Sequence, residues 1–125
     1  SVEDIHTQIL AGGYATARAA IDATAAKWPE ASIAKEVSLN RLGYQLVQEH
    51  RVDAALEVFA DITHRFPDSA SAWDSYSETL EGAGKLAAAA EATAKGLAAI
   101  AQMPAGPRRD AVDQALHERA ARLPR

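Results

Sequence analysis

Apolar residues recur at helical spacing along this chain, in segments that widely spaced glycines and prolines separate. Leu39, Leu42 and Leu46, for example, stand at positions i, i+3 and i+7. β-Branched residues are sparse and never alternate with polar ones, so no strand pattern is present. Alanine makes up about a quarter of the residues and has the highest intrinsic helix propensity. The sequence therefore predicts an all-α protein.

Glycine and proline positions divide the chain into predicted helices. Pro29 and Pro67 each follow a helix, because proline lacks a backbone N–H and disfavours helical geometry in the preceding residue. Asp68, Ser69 and Ser71 are alternative N-caps for the helix after Pro67. The predicted helices run over about Val2–Leu10, Tyr14–Trp28, Ser32–Glu49, Val52–Arg65, Ala70–Glu81, Lys85–Met103 and Arg108–Leu123.

Composition excludes several classes of function. The formal net charge is −4 and no local cluster forms a basic face, so nucleic acid is not expected as a partner. The chain has no cysteine, which excludes disulfide and thiol chemistry. No apolar run approaches the roughly 20 residues of a membrane span. The first residues, Ser-Val-Glu-Asp, show no targeting signal and look like the edge of a processed protein.

No pattern typical of catalysis is present. The four histidines lack the spacing of metal ligands, and no serine stands in a glycine elbow. We therefore expect no catalytic residue, no cofactor and no metal, and we predict that the chain is not an enzyme. The aromatic residues are expected mainly in the core; these are Trp28, Phe59, Phe66, Trp73 and Tyr76.

Residues 36–69 and 70–103 share one register of small and large residues. In the first stretch the positions are Leu39, Leu42, Gly43, Leu46, Ala55, Phe59, Ile62 and Pro67. In the second they are Trp73, Tyr76, Ser77, Leu80, Gly84 and Ala89, with departures at Thr93, Gly96 and Ala101. This register resembles the tetratricopeptide repeat, a helix–turn–helix unit of about 34 residues. His50 takes the place of the usual turn glycine.

The resemblance implies a single domain over residues 1–125 with about two and a half repeats in a right-handed superhelix. Residues 1–31 would form a partial repeat, residues 36–69 a full one and residues 70–103 a degenerate one. Residues 108–123 would form a capping helix, with Val112, Leu116 and Leu123 inward and Arg122 elsewhere. The alternative for this helix is a partner-binding amphipathic element. The domain is expected to be a fragment of a larger protein.

The resemblance also implies a concave surface lined by the first helix of each unit. Its predicted residues are His6, Asn40, Tyr44, Gln48, Asp74, Glu78 and Glu81. They would form an amide and aromatic patch beside an acidic stripe, which suits a peptide bearing lysine or arginine. A carboxylate clamp is not expected, because only Arg41 would serve in it. A solvated helix face is the alternative for the acidic stripe. The predicted function is non-catalytic protein or peptide binding, and a homodimer is compatible with it.

A narrower resemblance concerns the repeat domains at the C-termini of bacterial serine hydrolases of the β-lactamase, penicillin-binding and esterase types. It is carried by Leu-Asn-Arg-Leu-Gly-Tyr at residues 39–44 and Pro-Asp-Ser at residues 67–69, followed by Trp-Asp-Ser at residues 73–75. It implies an alternative function, an accessory domain that orients, tethers or dimerises a catalytic domain. The compartment would then be periplasmic or secreted, and otherwise cytoplasmic. The hydrolase motifs themselves are absent from the chain.

Overall fold

The protein is described by a computed structural model, in which residues 1–124 are described. These residues form seven α-helices and no strand, which confirms the all-α prediction. The helices are α1 Val2–Gly12, α2 Tyr14–Lys27, α3 Glu36–Gln48, α4 Val52–Arg65, α5 Ala70–Gly82, α6 Leu86–Ala99 and α7 Pro107–Arg122. None of the described helices is both long enough and apolar enough to cross a membrane.

Two predicted helices are shorter than expected because each is joined to a single 3₁₀ turn. The stretch before α3 forms the turn Ser32–Ala34, and Lys35 then takes an extended conformation with φ −88° and ψ 140°. The Lys35 N–H bonds back to the Ser32 carbonyl at 3.0 Å, so α3 begins only at Glu36. After α6 the chain tightens into the turn Ile100–Gln102, as is common at helix C-termini.

Ser69 is the N-cap of α5, which decides among the alternatives left open by the sequence. Its hydroxyl accepts a hydrogen bond from the Ala72 N–H at 3.2 Å and so satisfies a backbone donor of the first turn. The Trp73 indole N–H also bonds to the Pro67 carbonyl, at 2.8 Å. The residues that follow Pro67 therefore fix the entry into α5.

The bounds of α5 and α6 equal those of α3 and α4 advanced by 34 residues, at both ends of both helices. The turns repeat as well. Arg51 N–H bonds to the Leu46 carbonyl at 2.8 Å, and Lys85 N–H bonds to the Leu80 carbonyl at 2.9 Å. His50 stands where Gly84 stands in the second turn, with φ 59° against 77°. The periodicity predicted from the side chains is thus a periodicity of the backbone.

The chain divides into two compact units, the first covering Ser1–Phe59 and the second beginning at Ala60. In the first unit, Gly43 is buried and its backbone faces the Phe59 ring so closely that a Cβ there would lie 2.6 Å from ring carbons. Phe59 and Leu39 are fully buried. The small residue at position 43 therefore makes room for an aromatic ring, and the prediction that Phe59 lies in the core is confirmed.

In the second unit, α7 packs against α5 and α6. Ala70, Ala99 and Leu116 form a buried cluster. Partly buried apolar residues pack against that cluster; these are Leu97, Ile100, Met103 and Val112. The predicted inward face of the last helix is therefore present at Val112 and Leu116.

Trp28 is the aromatic residue for which the core prediction is wrong. It is 58% exposed, because α2 ends at Lys27 and the chain turns away at Trp28 with φ −135°. The Lys27 ammonium lies 4.4 Å from the centre of the ring, a favourable cation–π distance. Phe66, Trp73 and Tyr76 are half-buried.

Candidate functional site

Three carboxylates lie at positions i, i+4 and i+7 of α5, where helical geometry places them along one side. We call this set, Asp74, Glu78 and Glu81, the acidic face of α5. Asp74 and Glu81 are half-buried and Glu78 is exposed. The three carboxylates of the predicted acidic stripe therefore share one side of a helix in the second unit, and their role in a binding groove stays a prediction.

Arg119 of α7 is bonded into this face. Its Nη1 donates to Asp74 Oδ1 at 2.7 Å and to Ser77 Oγ at 2.8 Å, and it also reaches the Asp74 carbonyl at 3.4 Å. Arg119 is only 3% exposed. A guanidinium group so deeply buried requires a charged partner, and Asp74 supplies it.

Arg122 of α7 holds the other end of the face. Its Nε donates to Glu81 Oε2 at 2.7 Å and its Nη2 donates to Glu81 Oε1 at 2.8 Å. Two parallel bonds between a guanidinium and a carboxylate form the strong, directional pairing that arginine favours. The Arg122 side chain is still 52% exposed, so solvent weakens the pair.

The pKa values of the two paired carboxylates are shifted in opposite directions. Burial raises the pKa of Asp74 above its usual 3.8, although the hydrogen bond from Arg119 acts to lower it. The nearby negative charge of Glu78 adds to the raised pKa of Asp74. The hydrogen bond from Arg122 lowers the pKa of Glu81 below its usual 4.5. Asp74 is thus held in a low-dielectric environment, whereas Glu81 is stabilised in its charged form.

An apolar contact completes the attachment of α7. A Cβ on Gly96 would lie 2.9 Å from Leu116 Cδ2 and 3.1 Å from Trp73 Cβ. The bare backbone of Gly96 therefore leaves the space that the Leu116 side chain fills. Leu116 is fully buried. The departure of the second repeat from its register at Gly96 has this physical cause.

The remaining predicted groove residues lie in the first unit. His6 of α1 is bonded through Nε2 to Glu49 Oε1 at 2.8 Å. Asn40 and Tyr44, one turn apart on α3, are half-buried, and Gln48 is exposed. The Tyr44 ring meets the Phe59 ring edge-on, with the ring centres 5.0 Å apart. Tyr44 is therefore partly a packing residue, which reduces the flat face available to a ligand.

An open cavity of about 400 Å³ lies beside His6 in the first unit. It also includes Arg41, the one residue that the sequence analysis retained from a carboxylate clamp. Polar side chains dominate the lining; the lining residues are Ser1, Val2, Glu3, His6, Ser32, Ser38, Arg41 and Gln45.

In residues 1–124, no group of three or more histidine, aspartate or glutamate side chains is arranged to hold a metal ion.

The sequence indicated the three carboxylates of the acidic face but not their arginine partners. It placed Arg122 away from the inward side of the last helix and did not single out Arg119. Helical spacing carried the missing signal, because Arg119 follows the inward Leu116 by three residues and so shares its side of the helix. That His6, Asn40, Tyr44 and Gln48 share one groove with the acidic face stays a prediction.

No protein-family model matches the sequence, and no curated protein matches it. The resemblances to tetratricopeptide repeats and to hydrolase tails therefore stay predictions.

Proposed function

We propose that this protein is a non-catalytic module that binds a segment of another protein through arginine or lysine side chains on that segment. The acidic face of α5 is the proposed contact surface.

One observation carries the proposal: the acidic face already holds two guanidinium groups. Arg119 and Arg122 are bonded to Asp74 and Glu81 at 2.7 to 2.8 Å. The depth and spacing of these carboxylates therefore fit arginines presented three residues apart on a helix. Glu78, exposed between them along α5, adds a negative charge that an incoming cation would meet first.

The pairing of the carboxylates with arginines supports cation binding over proton transfer. Both Asp74 and Glu81 have an arginine within hydrogen-bond distance, whereas a general acid–base pair requires a substrate pocket between the groups. The 34-residue recurrence of helices and turns supports the same proposal, because stacked helical hairpins commonly present extended surfaces for binding.

The test is binding of a labelled, unstructured peptide of alternating arginine and serine, measured by fluorescence anisotropy with the full chain and with its Arg122→Ala variant. We expect saturable binding that weakens about tenfold or more as salt rises from about 50 to 500 mM, because the ion pairs are partly exposed. A peptide with glutamate in place of arginine is the control ligand and should not bind.

The surface is tested with Glu78→Lys, which reverses an exposed charge of the face. Glu91→Lys is the matched control, since Glu91 is exposed on α6 and the change in net charge is the same. We expect Glu78→Lys to weaken binding at least fivefold and Glu91→Lys to weaken it less than twofold. Equal effects of both substitutions, or no binding to either form of the chain, would contradict the proposal.

A further inference from the structure

We infer that the surface of α5 and α6 beneath α7 recognises a partner helix with the pattern Leu-x-x-Arg-x-x-Arg, and that α7 is its competing occupant within the chain. The inference rests on the proposed function and adds the form of the partner and a means of regulation. The residues of α7 that define the pattern are Leu116, Arg119 and Arg122.

The pattern places three side chains on one side of a helix, because residues three apart lie about one turn from each other. Each meets a different feature of the surface. Leu116 fills the space over Gly96, Arg119 bonds to Asp74 and Ser77, and Arg122 bonds to Glu81 in two places. The surface therefore selects both the types of side chain on the helix and their spacing along it.

The surface is built by residues that differ between the two repeats. A shift of 34 residues along the register takes Asn40 to Asp74, Gly43 to Ser77, Val47 to Glu81 and Ile62 to Gly96. Each of the four replacements touches one of the three pattern residues. The first repeat holds no carboxylate or hydroxyl at the corresponding positions. The second repeat is therefore specialised for this kind of helix.

The attachment of α7 combines one buried apolar side chain with two arginine pairs. Only Leu116 and Arg119 of its 16 residues are buried. The helix follows a link in which Gly106 has φ 151°, and Pro107 opens its first turn. The apolar burial of α7 comes from Leu116 and in part from Val112, so the two arginines supply the rest of its attachment.

The closed arrangement leaves one buried donor without a partner. Arg119 Nε is buried and makes no hydrogen bond; Glu81 Oε1 lies 3.8 Å from it. An unmet buried donor disfavours the state that contains it. A partner helix that seats its guanidinium so that this donor is bonded would avoid that loss.

Because α7 occupies the surface within the same chain, a partner helix must displace α7 in order to bind. A tethered segment acts at a high effective concentration, and a site that is open only part of the time shows an affinity reduced by that fraction. Weakening α7 within the chain must therefore strengthen binding of the same helix added as a separate peptide.

The probe is a fluorescein-labelled peptide with the sequence of residues 107–122, titrated into the full chain and followed by anisotropy. The variant chain carries Arg122→Ala, which removes the half-exposed end of the attachment. Arg108→Ala is the matched control, because Arg108 is an exposed arginine of the same helix. We expect Arg122→Ala to bind the peptide about tenfold more tightly than the wild-type chain, and Arg108→Ala to bind it within twofold of wild type.

Peptide variants test the pattern itself. A peptide of the same composition, with the leucine and the two arginines moved out of register, should bind at least tenfold more weakly. Equal binding of the two peptides would overturn the inferred pattern. Equal affinity of the wild-type, Arg108→Ala and Arg122→Ala chains would overturn competition by α7 while leaving the proposed function in place.

A different result would contradict both the inference and the proposed function. If no chain binds either this peptide or the arginine–serine peptide, both the inference and the proposed function fall. Circular dichroism shows whether Arg122→Ala stays helical. If it unfolds, Arg122→Lys carries the test, because it keeps the charge and loses the paired bonds. An affinity two- to threefold above wild type then supports the inference, and an unchanged affinity overturns it.

Discussion

At the scale of single residues, two buried glycines mark the places where a large side chain enters from a neighbouring helix. Gly43 lies against the Phe59 ring and Gly96 against Leu116. Both occur inside α-helices, where glycine costs about 1 kcal/mol relative to alanine. That loss is offset because the missing Cβ lets a fully buried side chain pack directly on the backbone.

Gly43→Ala should therefore lower the free energy of unfolding by about 1–3 kcal/mol, since its Cβ would fall 2.6 Å from a ring that is fully buried. The measurement is urea unfolding followed by circular dichroism. Gly12→Ala is the control in the same unit, because nothing lies within 4 Å of its Cβ position. We expect the control to be neutral or stabilising by up to about 1 kcal/mol. Similar losses in both variants would contradict the assigned packing.

His50 carries backbone strain that the matching turn avoids. Its φ of 59° lies in the left-handed region, where Gly84 stands in the second turn with φ 77°. His50→Gly should raise the free energy of unfolding by about 0.5 kcal/mol. The substitution removes backbone strain of about 1 kcal/mol, and the greater freedom of glycine in the unfolded chain offsets part of that gain. Gly84→Ala should change stability in the opposite direction. A loss of stability in thermal melts of His50→Gly would refute this account.

At the scale of helices, the pairing of α7 with α5 joins two roles that the sequence left as alternatives. Leu116 covers part of the core of the second unit, as a capping helix does. Arg119 and Arg122 occupy carboxylates, as a bound basic segment would. Both roles use one side of the helix, so a single set of side chains serves both.

The attachment of α7 predicts opposing pH dependences for the two carboxylates. The pKa of Glu81 is lowered in the folded state, so its stabilisation is present above pH 4.5 and is lost as the pH falls through the lowered value. The pKa of Asp74 is raised in the folded state. Its contribution to stability is therefore present below pH 3.8 and is lost as the pH rises through the raised pKa.

Urea unfolding from pH 3 to pH 7 measures both effects. Between low and neutral pH, Glu81 makes the folded chain more stable as the pH rises, so Glu81→Gln should remove part of that gain. Asp74 makes the folded chain less stable over the same range, so Asp74→Asn should remove part of that loss. Asp113→Asn is the control, because Asp113 pairs with His117 of its own helix, at 3.1 Å. If Glu81→Gln left the pH profile of the wild-type chain unchanged, the pairing of Glu81 with Arg122 would contribute nothing to stability.

At the scale of the whole molecule, one helical period of 34 residues organises the middle of the chain. Four of the residues that differ between the two repeats contact α7; these are Asp74, Ser77, Glu81 and Gly96. The division into two compact units falls inside α4, so a helix of the first repeat contributes residues to both. Each unit has its own set of predicted binding residues, and the arginine-bearing helix belongs to the second.

The sequence by itself determined the all-α class, the helix ends within a few residues, and the 34-residue register, because proline, glycine and apolar spacing act locally. It also located the acidic face, since i, i+4 and i+7 positions share one side of any helix. Tertiary structure alone decided that Trp28 stays exposed and that Arg119 and Arg122 occupy Asp74 and Glu81. Those pairings join residues 41 to 45 positions apart, and local spacing says which side of a helix a residue takes but not which helix it meets.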